Sequence, residues 1–243
     1  MGPQPMLAAV ELRKQFGALA ALDGVDFAVD AGEAVGIVGP NGAGKTTLLN
    51  VLAGTVAPSS GAVSFQGTVV TASGASRRSR LGIARAHQVP RPFGGMTVFE
   101  NCFVAASTGG GMRRRAAYGR CLEVLELCGL TELGNRRAET LGLLGRKRLE
   151  LARALATNPV VLLLDEIGAG LTDAEADELV AMIKALHASG IAIVWIEHIV
   201  HVLVQVIERL VCMETGRVIA DGEPAAVMRD ARVVDAYLGG GAA

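Results

Sequence analysis

The sequence predicts an α/β fold: a parallel sheet of buried strands alternating with helices, with a phosphate-cradling glycine loop at one strand end. Three observations carry this. The apolar run Ala34-Val35-Gly36-Ile37-Val38 leads straight into a glycine-rich loop, and helix formers follow from Lys45 to Ala53. The run Val160-Val161-Leu162-Leu163-Leu164 does not alternate with polar residues, as expected of a strand covered on both faces. A third such run, Ile191 to Ile196, follows an amphipathic helical stretch.

Taken in chain order, Leu48, Leu49 and Leu52 lie on one side of the first helix, and Gly54 is placed to stop it. Residues 71–80 (TASGASRRSR) and 107–115 (STGGGMRRR) have loop composition. Between Tyr118 and Leu130 the spacing of Leu122, Val124, Leu125 and Cys128 is helical, and residues 90–155 read as a mostly helical insert between two halves of the sheet. Thr172-Asp173-Ala174-Glu175 has the form of a capping box. Leu179, Met182, Ile183 and Leu186 then mark one face of a helix that ends at Gly190. Glu214-Thr215-Gly216-Arg217 predicts a hairpin turn, and residues 224–238 predict one terminal helix.

The loop itself reads Gly39-Pro40-Asn41-Gly42-Ala43-Gly44-Lys45-Thr46-Thr47. Its glycines let backbone N–H groups approach phosphate oxygens, Lys45 reaches the β and γ phosphates, and the Thr46 hydroxyl is placed for Mg²⁺. Asp165 and Glu166 close the second buried strand. A carboxylate at that point can hold a metal, and its neighbour can orient or deprotonate water. His198, Gln88 and Phe16 carry no weight singly, since a lone histidine, amide or aromatic is ordinarily structural.

Bulk composition narrows the function classes. The 243 residues suit one domain with an insert. The net charge of -1 gives no basic excess, so no nucleic-acid partner is expected, and Arg113-Arg114-Arg115 reads as a solvated face. Cys102, Cys121, Cys128 and Cys212 show no CxxC pairing, which points to reduced thiols and not to zinc or a disulfide frame. The N-terminus lacks the pattern of a signal peptide. The most apolar stretch, 191–210, is interrupted by Glu197, His198 and His201 and falls short of a membrane span. Hydrophobic residues nevertheless make up 51% of the chain, a level that predicts surface covered by partners.

In order along nearly the whole chain, these motifs resemble the ATP-binding subunit of ABC transporters. Phe16 matches the aromatic that stacks on adenine. The glycine loop matches Walker A, Gln88 the Q-loop glutamine (a metal ligand that also couples to the membrane partner), and VLLLDE matches Walker B with its catalytic glutamate. Residues 169–172 match the D-loop, and His198 the switch histidine. The segments GIARAHQVPRPFGGMTVFEN, WIEH and VMRDARVVDAYLG are similar to the ATPase subunits of branched-chain amino acid importers, and to the longer of the two paralogues. The resemblance implies a P-loop NTPase with a RecA-like core, an N-terminal antiparallel β portion and an inserted helical subdomain. Residues 6–239 form one domain on this reading, with core segments 6–89 and 156–222. It further implies ATP and Mg²⁺ bound by Thr46, Gln88 and Asp165, with Glu166 and His198 catalytic. The implied partners are a second ATPase subunit in a heterodimer, two integral-membrane permeases and an extracytoplasmic solute-binding protein. The implied location is peripheral, on the cytoplasmic face of the inner membrane.

One motif departs from the pattern. The usual signature LSGGQ is replaced by Leu141-Gly142-Leu143-Leu144-Gly145, and the D-loop aspartate by Thr172. The change removes a hydroxyl that would meet the opposite ATP and adds bulk where backbone should approach closely. Because a chain's signature completes its partner's site, one site of a dimer is expected to be slow. Two other functions compete: a nucleotide-binding regulatory subunit with weak or no hydrolysis, and an importer of urea, amides or another small polar solute. A soluble ABC-type ATPase acting on ribosomes or DNA would carry two cassettes or a long coiled-coil insert, whereas this chain has one glycine loop and a modest insert.

Overall fold

The computed structural model describes residues 4–239. Its centre is a six-stranded sheet in the order β10-β9-β3-β8-β7-β6. The strands are β3 (Ala34–Val38), β6 (Ile83–Ala86), β7 (Val161–Asp165), β8 (Ala192–Ile196), β9 (Arg209–Glu214) and β10 (Arg217–Gly222). All neighbours pair in parallel except β9 and β10, which form a hairpin. The glycine loop leads from β3 into α1 (Lys45–Ala53). A second sheet, of antiparallel strands, has the order β2-β1-β4-β5 from β1 (Leu7–Phe16), β2 (Leu19–Val29), β4 (Ser60–Phe65) and β5 (Thr68–Val69).

Alternating side chains of each central strand enter different cores, which explains the unbroken apolar runs. Val35, Ile37, Leu163 and Val194 pack with Leu48, Leu49 and Leu52 of α1 and with the antiparallel sheet. Leu162, Leu164, Ile193 and Trp195 face the opposite way. There they meet Leu179 and Ile183 of α6 (Asp173–Ala188) and Leu151 and Leu155 of α5 (Leu143–Ala156). Between β6 and β7 the chain is largely helical: α3 (Val98–Val104), α4 (Arg114–Leu127) and α5. Cys102, Cys121 and Cys128 lie buried among these helices, and Cys212 is buried in β9; all four are free thiols.

The structure corrects the sequence reading in three places. Within 71–80, Ala75–Leu81 forms a helix, α2, between Gly74 and the left-handed Gly82. No apolar stripe announces it, because Arg78 anchors it. The guanidinium is 1% exposed and donates to the carbonyls of Val51, Leu52, Val70, Thr71 and Ser73. Two of these belong to the last turn of α1, where carbonyls run short of helical donors; that of Val51 also accepts the Gly54 N–H at 3.2 Å. Within 107–115, Ala105–Gly109 forms a π-helical turn continuing α3, and α4 begins at Arg114. The terminal helix is two: α8 (Pro224–Val227) and α9 (Ala231–Gly239). Asp230 breaks them, its carboxylate accepting the Arg232 N–H at 2.9 Å.

Two expected features hold in detail. Thr172 caps α6 in a reciprocal box with Glu175, and Thr215 and Gly216 take left-handed backbone in the β9–β10 turn. Replacing Arg78 by methionine would strand several buried carbonyls together. Urea unfolding of Arg78→Met is expected to show a loss of about 3 kcal/mol, with Arg78→Lys intermediate.

Candidate functional site

The parallel register delivers the chemical groups to one edge of the sheet. Asp165 pairs with Ile196 at the ends of β7 and β8, and the Glu166 N–H donates to the Ile196 carbonyl at 2.9 Å. Glu166 has φ 46°, in the left-handed region where a residue other than glycine is uncommon. That turn brings its carboxylate beside two other segments. His198 Nε2 lies 2.8 Å from Oε1, and Gln88 Nε2 donates to Oε2 at 2.5 Å. Three sequence motifs thus converge on one carboxylate.

The loop lies under the same edge. Its cavity, about 280 Å³, is lined by Phe16, Leu19, Ala21, Asn41 to Thr47 and Glu166. Phe16 is 49% exposed, and Lys14 Nζ lies over its ring, 4.9 Å from the centroid. Lys45 is buried, and its ammonium donates to the carbonyls of Gly39 and Pro40 at 2.6 and 2.9 Å. Burial pushes its pKa down, against the pull of Glu166, Cys212 and Asp165. Gly44 has φ 99°, and a Cβ there would sit 2.4 Å from the Ala21 carbonyl oxygen. Only glycine therefore lets the loop pass beneath β2.

Thr46 Oγ1 donates to Asp165 Oδ1 at 3.4 Å. The second carboxylate oxygen, Oδ2, is held by Arg85 at 2.6 Å in an ion pair almost closed to solvent. Arg85 reaches onward to Asn50 Oδ1 at 2.5 Å. Thr46 lines the cavity and Asp165 lies directly behind it, so a hydroxyl and a carboxylate oxygen stand together as hard oxygen donors. That set suits Mg²⁺, which takes few protein ligands and completes its shell with phosphate and water. Gln88, also expected at the metal, turns its amide to Glu166 instead.

The structure separates the signature segment from this group. Gly142 begins α5 in extended backbone, and Leu143 is 46% exposed beside Gly170. Leu144 and Gly145 occupy the first turn of α5, and none of the four lines the glycine-loop cavity.

Three site residues were missed from sequence. Arg85 sits two residues before His87 on a short strand, and nothing in its local pattern marks it as the partner of Asp165. Lys147 is 5% exposed on α5, 3.5 Å from the Gln88 carbonyl oxygen, its pKa lowered by burial against the pull of Glu197 and Glu166. Glu197 is 3% exposed, and its Oε1 accepts the Gly168 N–H at 2.7 Å, tying the residue just before segment 169–172 to the end of β8. Burial raises its pKa. A charged residue inside an apolar run was the available signal, read only as a break in a membrane span.

Comparison with known proteins accords with this geometry. The family model "ABC transporter" matches residues 22–169, and the model "Branched-chain amino acid ATP-binding cassette transporter" matches residues 217–243. The chain is 34% identical to the high-affinity branched-chain amino acid transport ATP-binding protein BraF of Pseudomonas aeruginosa, covering 97% of this chain and 98% of that protein. It is 35% identical to the corresponding LivG of Escherichia coli K12, with the same coverage. The crystal structure of an ATP-binding cassette of an ABC transporter in its ADP conformation superposes with a TM-score of 0.88 at 31% identity, covering 98% of this chain and 100% of the other. Among the described residues no helix is long and apolar enough to cross a membrane. A P-loop after β3, a carboxylate pair at the end of β7 and these likenesses agree: the chain belongs to the ABC transporter family, as an ATPase that powers transport.

Proposed function

We propose that this chain is an ATPase subunit of an importer of branched-chain or related amino acids, with Asp165, Glu166 and His198 working on ATP held by the loop from Gly39 to Thr47. The observation that carries the site assignment is the convergence of Gln88 and His198 on Glu166 at the mouth of the loop cavity. The relatives' names support the substrate class. Phe16, half exposed at the rim of the cavity, stacks on the base. The loop N–H groups and Lys45, released from the Gly39 and Pro40 carbonyls, take the phosphates. Thr46 and Asp165 would hold Mg²⁺, which neutralises phosphate charge when bound. Arg85 holds Oδ2 of Asp165, which leaves Oδ1 beside the Thr46 hydroxyl. Glu166 orients a water for attack on the γ-phosphorus and takes its proton, as the bond to the bridging oxygen breaks and ADP leaves. His198 steadies Glu166. Gln88 occupies the other carboxylate oxygen, so a movement of its loop would free the base. This ties hydrolysis to whatever touches that loop.

The proposed assembly pairs this chain with a second ATPase subunit, on two membrane permeases at the cytoplasmic face of the inner membrane, fed by an extracytoplasmic binding protein. The signature segment Gly142 to Gly145 would then serve the partner's ATP. Space supports repair of that segment. A Cβ on Gly142 would meet nothing within 4 Å, and a serine there is a favoured helix cap. In the assembled complex, Gly142→Ser with Leu143→Gly and Leu144→Gly is expected to raise ATP turnover. Flat or reduced turnover would show that the leucines cost nothing.

Glu166→Gln is expected to lower hydrolysis by ~100-fold or more while ATP stays bound. Unchanged turnover would favour the regulatory reading. The same variant, tagged and captured with ATP from solubilised membranes of the native host, is expected to bring two multi-spanning proteins and a second ATPase. Recovery without membrane partners would refute the importer assignment.

A further inference from the structure

We propose that Tyr237 is a positioning residue that latches the C-terminal helix to the phosphate loop and holds the loop in its nucleotide-accepting form. The inference rests on the reading above that this loop binds nucleotide. The last parallel pair between β3 and β9 joins Val38 to Cys212. The next amide, that of Gly39, donates instead to the Tyr237 hydroxyl at 2.9 Å, across 198 residues of sequence. The tyrosine thus takes the place of a strand partner at the point where sheet becomes loop.

The same glycine is held from its other side. Its carbonyl accepts the Lys45 ammonium at 2.6 Å, and its φ of 143° puts a would-be Cβ 2.0 Å from the Met213 carbonyl oxygen. When Lys45 turns from this carbonyl to phosphate, the Tyr237 hydrogen bond and the close approach to Met213 remain to hold Gly39. Helix α9 is fixed well enough to serve as an anchor. Val233 and Ala236 are 1% and 5% exposed, and with Tyr237 they stand at i, i+3 and i+4 on one face. Tyr237 is 42% exposed; the phenol holds its proton at neutral pH as any tyrosine does, and its partial burial shifts the pKa further upward.

A fixed Gly39 spares the loop part of the ordering that nucleotide binding would otherwise require. Losing the latch should therefore weaken binding. By reciprocity, nucleotide should tighten the hold on α9. The matched family segment 217–243 would then contribute to the ATP site from outside it.

Tyr237→Phe removes the hydroxyl and keeps the ring. In the full chain, calorimetry is expected to show about fivefold weaker ADP binding, the size of one neutral hydrogen bond. Hydrogen exchange across 231–239 should slow on adding ADP to the wild-type chain, and this slowing should vanish in the variant. Unchanged affinity overturns the latch, as does slowing that persists in the variant. Wild-type exchange that ignores ADP overturns it too, whatever the variant's folding. Lys45→Ala is the control for the underlying reading. If neither it nor the wild type differs in ADP binding, the loop assignment itself fails, and the latch with it.

Discussion

The pairing of β7 with β8 in parallel register is the constraint on which the site depends. It sets Asp165 beside Ile196, with Glu166 one residue further along one strand and His198 two residues further along the other. A shift of one residue would turn Leu162 and Leu164 to the other core and send the carboxylates to the wrong face. The apolar strands thus place charged groups with a precision that no local contact among those groups supplies. Burial on both faces forbids slippage, and the strand ends are the only places where polar chemistry can emerge.

Around that edge, buried charges are consistently paired. Asp165 meets Arg85, Glu197 meets the Gly168 N–H, and Arg78 meets a ring of carbonyls. An isolated buried charge costs several kcal/mol, so these contacts also dictate which way each side chain points. Asp165 turns Oδ1 toward Thr46 because Oδ2 is already committed to Arg85. Glu166 is the exception in kind: its partners are an amide and an imidazole from segments outside the central strands' regular ladder, and both can leave.

Motif chemistry and strand cores were legible in the sequence because each depends on neighbours a few residues away. The glycine loop, the Asp165–Glu166 pair and the capping box at Thr172 read directly. Helix α2 was not legible, because its stability comes from Arg78 bonding to the end of α1, 26 and 27 residues upstream, and to the turn after β5. Arg85 and Lys147 escaped for the same reason: a basic residue shows its charge in the sequence but never its partner. The split of the terminal helix at Asp230 also turned on one side chain's choice between solvent and backbone.

The four cysteines give the molecule an internal set of timers. Burial pushes the Cys121 and Cys212 thiols up to about 11 and Cys128 to about 12, so in the closed fold they hold their protons and are shielded from reagents. Modification must wait for an opening of the structure. Cys102, Cys121 and Cys128 report on the helices between β6 and β7, and Cys212 reports on the sheet beside the phosphate loop. Rates of thiol capture would therefore separate loosening of the helical part from loosening of the nucleotide-bearing part in one unmodified chain.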